Sequence, residues 1–267
     1  MSADRRLLLR LIDGPVSGDA LARELGLTRA AVWKRVEALR EAGVGIQARP
    51  GQGYALMHPV ELLDPASILM AVPVPARDQI AALDVAWSLD STNSQLLSSP
   101  VPAEGCQVLF AERQTGGRGR RGRKWQSPLA GSLAMSVLRG FEGGLARLSG
   151  LSLVAGVATV DALHGLGLLQ ARLKWPNDIV VRDGGVLHKL GGILVEGGGE
   201  HAGPVRGVIG IGLNLRLPAA DSAQIDQPWT ELAMLEGGAR LSRNTLAGGL
   251  LARLVPALQG FGRVGIG

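Results

Sequence analysis

Between Gly116 and Trp125 the chain reads GGRGRRGRKW, with five cations in the eight residues from Arg118 to Trp125, spaced by glycines and closed by a tryptophan. Glycine lets a backbone lie against an anion or fold over a bound ligand, and arginine forks pair with phosphate or carboxylate. The stretch therefore suits a mobile lid over an anionic ligand. A solvated Arg/Gly segment that holds RNA loosely has the same composition, so the loop alone leaves both readings open.

Four further pieces weigh on that choice. Ser91-Thr92-Asn93 offers small donors and acceptors around a polar head group, and the same residues can cap a helix. Lys174-Trp175-Pro176-Asn177-Asp178 puts a cation, a rigid turn and a carboxylate within five residues, more than a tight turn needs. Lys189 enters the run HKLGGILVE, whose glycines allow a ligand to approach closely, although a lone lysine entering a strand is usually surface. Gly210-Ile211-Gly212-Leu213-Asn214 ends a strand in an amide, and without a following helix it is not a dinucleotide loop.

The elements that must position these pieces are legible from periodicity. Residues 5 to 57 read as a separate unit: a helix from Arg5 to Ile12, a second capped by Ser17, a turn at Gly26, and a third capped by Thr28 with Val32, Val36 and Leu39 at helical spacing. Two short strands, Gly45 to Ala48 and Gly53 to Leu56, follow as a hairpin wing. Arg29, Trp33, Lys34 and Arg40 are read as the third helix's DNA-facing residues, and nine Lys and Arg against six Asp and Glu over residues 1 to 57 leave a net +3. This predicts a winged helix-turn-helix over a helical pair used only for protein contact. Four prolines between His58 and Pro75, around a short helix near Ser67 to Met70, mark 58 to 82 as a linker. From 83 to 267 strands and helices mix: strands near Leu83 to Leu89, Gln107 to Ala111 and Ser132 to Leu138, a long helix near Leu145 to Leu166, then strands at Arg172 to Lys174, Ile179 to Arg182, Leu190 to Glu196 and Val205 to Asn214. That pattern predicts an α/β domain with a mixed sheet, with the polar pieces at strand ends where open sheets bind ligands.

Composition bounds the rest. The 267 residues, 46% of them hydrophobic, exclude a disordered chain, and a net charge of +5 permits a polyanion partner without requiring one. The single cysteine, Cys106 in CQVLF, allows neither a disulfide pair nor a thiolate metal cluster, and reads as core in a reducing compartment. The apolar stretch Leu148 to Leu169 is interrupted by Ser149, Ser152, Asp161 and His164, a buried helix more than a membrane span. No export signal is visible in MSADRRLLLRLIDG, so the expected location is the cytoplasm.

In order, STN, GRGRRGRKW, KWPND, KLGGILVE and GIGLN resemble the bacterial biotin protein ligases, and the N-terminal winged helix narrows this to the bifunctional type that is also the biotin operon repressor. The resemblance spans Arg5 to Phe261. It implies that biotin and ATP, with magnesium, give biotinyl-5′-adenylate, which a lysine of the biotin carboxyl carrier protein of acetyl-CoA carboxylase then attacks. It implies operator DNA and a second copy of the chain, joined in a homodimer when the adenylate is bound, as further partners. Carried over residue by residue, Ser91, Thr92, Asn93, Gln114, Arg118, Gly119, Arg120 and Lys189 hold biotin, with Lys189 beside the reacting carboxylate and α-phosphate. Arg118, Arg120, Arg123, Trp125, Lys174, Asn214 and Trp229 fall on the nucleotide side. Lys189, Arg120 and Asp178 are the catalytic expectations; Asp178 is left with two roles, placing magnesium or orienting a cation, and no protein-held metal site is expected. The resemblance also implies a C-terminal SH3-like barrel, for which no strands remain after the helix near Thr245 to Leu258, so the barrel is expected to be absent and ATP use and transfer weaker. A lipoate–protein ligase and a DNA-binding biotin sensor with little ligase activity stand as the alternatives.

Overall fold

The computed structural model describes residues 2 to 148, 150 to 199 and 204 to 264; the readings made for Ser149 and for residues 265 to 267 lie outside them. Helices α1 (Ala3–Ile12), α2 (Gly18–Leu25) and α3 (Arg29–Glu41) open the chain, each started by a hydroxyl that accepts a backbone N–H: Ser2 from Arg5, Ser17 from Ala20 and Thr28 from Ala31. Leu7, Leu8, Leu21, Val32 and Val36 close a small core of their own, and the antiparallel pair β1 (Ile46–Arg49) and β2 (Gly53–Leu56) forms the wing. This unit does not hang free. Leu129 from the following domain inserts into its core and donates its N–H to the Ala42 carbonyl at 2.7 Å.

The stretch read as a linker is built into the main body. It carries α4 (Pro65–Met70), α5 (Val74–Arg77) and the start of β3 (Ile80–Ala86), and its Leu63, Ile68, Val72 and Ala76 are buried in the large core. Burying an Ile or Leu contributes about 1.5–3 kcal/mol, so this segment is part of the domain's packing and not a tether. After α6 (Thr92–Leu97) come β4 (Cys106–Ala111) and β5 (Ser132–Phe141). The long helix expected from Leu145 to Leu166 is split: a single tight turn covers Leu145–Leu148, and α7 (Leu151–Gly165) begins only after Gly150, whose φ of 81° no continuous right-handed helix accepts. Strands β6 (Ala171–Lys174), β7 (Asp178–Asp183), β8 (Val186–Gly199) and β9 (Val205–Asn214) follow, then α8 (Ala219–Ser222) and α9 (Arg243–Val264).

The seven strands lie in the order β3-β4-β5-β9-β8-β7-β6, parallel only at β3–β4 and antiparallel elsewhere, a mixed sheet as expected. Side chains alternate between its faces. Met135, Val137, Ile209, Ile211 and Leu213 enter the core shared with α7 and α9, and Cys106, fully buried there, has its thiol pushed up to about 11 by that burial. The opposite face carries Ser136, Leu138, Val208, Gly210 and Gly212. Its only helical cover among the described residues is the six-residue α6, which packs Leu96 on Leu109, Leu138 and Val208. The part of this face that α6 is too short to cover is the floor of the site. No helix among the described residues is long and apolar enough to cross a membrane.

Candidate active site

A cavity of about 710 Å³ lies over that uncovered face. Its floor is small by design of sequence: a Cβ on Gly210 would stand 2.3 Å from Asn93 Oδ1, and one on Gly212 2.6 Å from the Trp125 ring, so only glycine admits both side chains. Ser91 caps α6 by accepting from the Ser94 N–H, leaving Thr92 and Asn93 buried in the first turn. Thr92 donates its N–H and its hydroxyl to Gln114 Oε1 at 2.8 and 3.0 Å, and the buried Ser136 hydroxyl sits 2.6 Å from Thr92 Oγ1 and 2.5 Å from Asn93 Oδ1. Asn93 completes its amide through Nδ2, which donates to Glu196 Oε2 at 2.7 Å and to the Leu194 carbonyl at 3.2 Å. Thr92, Asn93, Ser136 and Gln114 Oε1 are thus tied into one network, which holds this floor in place before anything binds.

Cations stand around the floor. Arg118 donates from one nitrogen to both Glu196 oxygens at 3.0 Å and from the other to Ser94 Oγ at 2.6 Å. Lys189 reaches the cavity through an irregularity in β8: pairing with β7 passes from Ile179–Gly191 to Val180–Lys189, leaving Leu190 as an extra residue. The bulge keeps Leu190 in the core while turning Lys189 to the other face, where Nζ meets Asp178 Oδ1 at 2.8 Å. Arg120 donates to Asn177 Oδ1 at 3.3 Å, and Asn177 is itself anchored on the Ile193 carbonyl. Arg121, Arg123 and Lys124 are exposed on the rim, Arg121 in a left-handed backbone at φ 57°. Trp125 Nε1 is buried in the wall beside Gly212 and has no hydrogen-bond partner. At the far end Asn214 Nδ2 donates to the Thr230 carbonyl at 3.0 Å, and Trp229 pairs by its backbone with Lys189.

The structure thus gathers Ser91, Thr92, Asn93, Gln114, Arg118, Gly119, Arg120, Arg123, Trp125, Asp178, Lys189, Asn214 and Trp229 around one cavity. Lys174 is not among them. It is exposed at the end of β6, opposite Asp178 in register, beside the cavity and not in its lining. Ser136, Asn177 and Glu196 were not singled out from sequence. Glu196 was legible only as a carboxylate closing an apolar strand, since its partners lie 78 and 103 residues away. In the first unit, Arg29 and Trp33 are well exposed, with Arg29 near Asp19 at 3.2 Å, and Lys34 is exposed beside them. Arg40 does not belong with them: it donates to the Ile46 carbonyl at 3.0 Å and to Glu37 at 2.5 Å, fastening α3 to the wing.

The site is a cation-ringed pocket on a mixed sheet that follows a helix-turn-helix unit in the chain. Residues 85–214 match the family model described as the biotin/lipoate A/B protein ligase family, and residues 5–55 match a helix-turn-helix domain. The chain is 38% identical over 262 residues to the bifunctional ligase/repressor BirA of Escherichia coli, covering 98% of this chain and 78% of that protein. It is likewise 38% identical to BirA of Salmonella typhimurium, over 97% of this chain and 78% of that one. Among solved structures, the biotin protein ligase of Aquifex aeolicus in complex with biotin and ATP superposes with a TM-score of 0.53 at 29% identity, covering 69% of this chain and 73% of the other. The chain belongs to the bifunctional biotin protein ligase/repressor family.

Proposed function

We propose that the chain joins biotin to ATP to form biotinyl-5′-adenylate and passes the biotinyl group to a lysine of the biotin carboxyl carrier protein, while residues 1 to 57 bring a ligand-dependent homodimer to operator DNA. In this division residues 83 to 267 carry the ligase, and 58 to 82, packed into the same core, join it to the DNA-binding unit. The observation that supports the reading most is convergence: one cavity joins a hydrogen-bonded polar floor to cations from separate segments, the loop 116–125 and strand β8.

The chemistry follows from charge. A carboxylate and a triphosphate repel one another, and Lys189 and Arg120 would bring them together and hold the charge that develops on the leaving pyrophosphate. Asp178, 2.8 Å from Lys189 Nζ, keeps the ammonium aimed at the cavity until ligand anions compete for it. Ser91, Thr92, Asn93 and Gln114 would seat the biotin rings, with Arg118 and Gly119 closing over them; Arg123, Trp125, Asn214 and Trp229 would take the nucleotide. Magnesium would arrive on the ATP phosphates, with Asp178 placed to help position it or to orient a cation. Loop closure would keep water from the mixed anhydride.

Incubating the chain with ATP, magnesium and biotin and weighing the products by mass spectrometry tests the ligase half: biotinyl-adenylate is expected, and its absence with biotin, or its replacement by a lipoyl product when lipoate competes, overturns it. For the DNA half, Arg29, Trp33 and Lys34 should give operator binding that steepens with falling salt and tightens when biotin and ATP are added. Equal operator affinity with and without ligands would remove the coupling.

A further inference from the structure

Glu196 does not line the cavity, yet it grips two residues that do. Its Oε2 accepts from Asn93 Nδ2 at 2.7 Å, and both its oxygens accept from Arg118 at 3.0 Å. Arg118 belongs to the glycine-rich loop and Asn93 to the rigid first turn of α6, so this one carboxylate fastens a loop to the floor. The grip also decides orientation. An asparagine amide can turn over, exchanging its donor and acceptor; with Nδ2 held by Glu196 and the Leu194 carbonyl, Oδ1 is left to face the Ser136 hydroxyl at 2.5 Å. Arg118, held on one side, spends its other nitrogen on Ser94 Oγ at 2.6 Å, which lays the start of the loop along α6. The pair is half-buried, 31% and 27% exposed, so water competes with it less than at an open surface.

A carboxylate behind a pocket for anionic reactants opposes binding by charge alone. Geometry offsets that cost here, because the carboxylate orients two pocket residues. We propose that Glu196 is a positioning residue of the ligand site: it presets the Asn93 amide and anchors the 116–125 loop through Arg118, so that the biotin end of the cavity is formed before the ligand arrives. The inference rests on the biotin reading above and deepens it. It separates the loop into a start held to the floor by the Arg118 side chain and a tip, Arg121 to Lys124, whose side chains stand exposed and whose backbone is held only within the loop.

The test uses the full chain. In Glu196→Ala the Asn93 amide loses its fixed sense and Arg118 its partner; biotin binding measured by calorimetry should weaken by about tenfold or more, and trypsin should cut the 118–124 region several times faster without ligand. Glu196→Gln keeps the shape but offers one acceptor oxygen and no charge, and should fall between Ala and wild type. Adenylate formation at saturating biotin should change far less than the biotin KM, and in an Arg118→Ala background the Glu196→Ala effect should shrink, because the two act on one contact. If Glu196→Ala binds biotin and resists trypsin like the wild type, the inference is overturned. A loss confined to melting temperature, with affinity and loop cleavage unchanged in Glu196→Gln, overturns it equally. Failure of the wild-type chain to bind biotin at all would instead remove the ligand reading, while the ligand-free trypsin comparison would still decide whether Glu196 anchors the loop.

Discussion

The floor and the rim of the same cavity are built on opposite principles. On the floor, Thr92, Asn93, Gln114 and Ser136 spend their polar groups on each other, and Thr92, Asn93 and Ser136 are buried to within 4% exposure. On the rim, Arg121, Arg123 and Lys124 stand exposed on a loop rich in glycine. A committed, buried network discriminates by shape and hydrogen bonding, because a wrong ligand leaves its groups unpaired. Exposed cations attract any polyanion, and salt screens them. The difference teaches where selectivity and where charge handling should reside. Lys189 stands between the two: it carries charge like the rim but is only 20% exposed and held in place like the floor.

That intermediate position gives the largest expected effect. A cation held in a partly desolvated site acts on developing charge without first having to organise, and such contacts are worth a few kcal/mol. Lys189→Ala is expected to slow adenylate formation by a factor of about 10² or more with the fold intact, read by biotin-dependent pyrophosphate exchange. Undiminished exchange in a folded variant would falsify the role and place the burden of charge on the rim.

Next in size is a floor change. Thr92→Val keeps the branched shape and removes the hydroxyl that meets Gln114 and Ser136; Gln114 Oε1 keeps the Thr92 N–H and Ser136 keeps Asn93 Oδ1, so the cost is that of the lost hydrogen bonds, about 0.5–1.5 kcal/mol each. The biotin KM should rise by about tenfold while turnover at saturating biotin changes little, since a floor contact serves ground and transition states alike. A fall in turnover with KM unchanged would break the division between floor and rim.

Smaller still is the rim. Arg123→Ala should raise the ATP KM only a few-fold, and the deficit should shrink as ionic strength rises, because an exposed charge is worth about 1 kcal/mol or less and is screened within about 10 Å at 0.1 M salt. A loss as deep as that of Lys189→Ala, insensitive to salt, would mean that the rim is organised as tightly as the floor.

These regions were not equally legible in the sequence. Glycine-spaced arginines, KWPND and GIGLN are local patterns, and each marks a strand end or loop that the fold brings to the cavity. The mixed sheet was legible for the same reason, through short apolar strand runs interleaved with helices from 83 onward. What failed to show was anything that depends on the third dimension. Glu196 meets Arg118 only because β8 and the loop come together over α6, and Arg40 lies on the exposed-looking side of α3 until the wing folds onto it. Lys174 sits in register with Asp178 beside the cavity that its four motif neighbours line, with its own side chain exposed. The connector's burial was hidden by its prolines, which signal turns but do not say what the residues between them pack against.

The last test concerns the support beneath the floor and has the smallest expected effect on ligand handling. Cys106 is fully buried in β4, the strand that leads into Glu112 and Gln114, and burial pushes its thiol from 9.0 up to about 11. The folded pKa is the higher one, so the neutral thiol's contribution to stability is complete below the unfolded value near 9 and is lost as pH rises toward 11. Stability of the wild type should therefore fall between those two pH values by up to about 2–3 kcal/mol more than that of Cys106→Ala, measured by denaturant unfolding at each pH. At pH 8 the same burial should make alkylation of Cys106 by iodoacetamide wait on opening of the sheet, whereas trypsin should reach Arg121 to Lys124 through local motion of the rim alone. Biotin with ATP should then slow trypsin strongly and alkylation only as far as it raises global stability. If ligand protects both to the same degree, or if Cys106 reacts as fast as the rim is cut, floor and rim open together and the contrast between a preformed floor and a responsive rim does not hold.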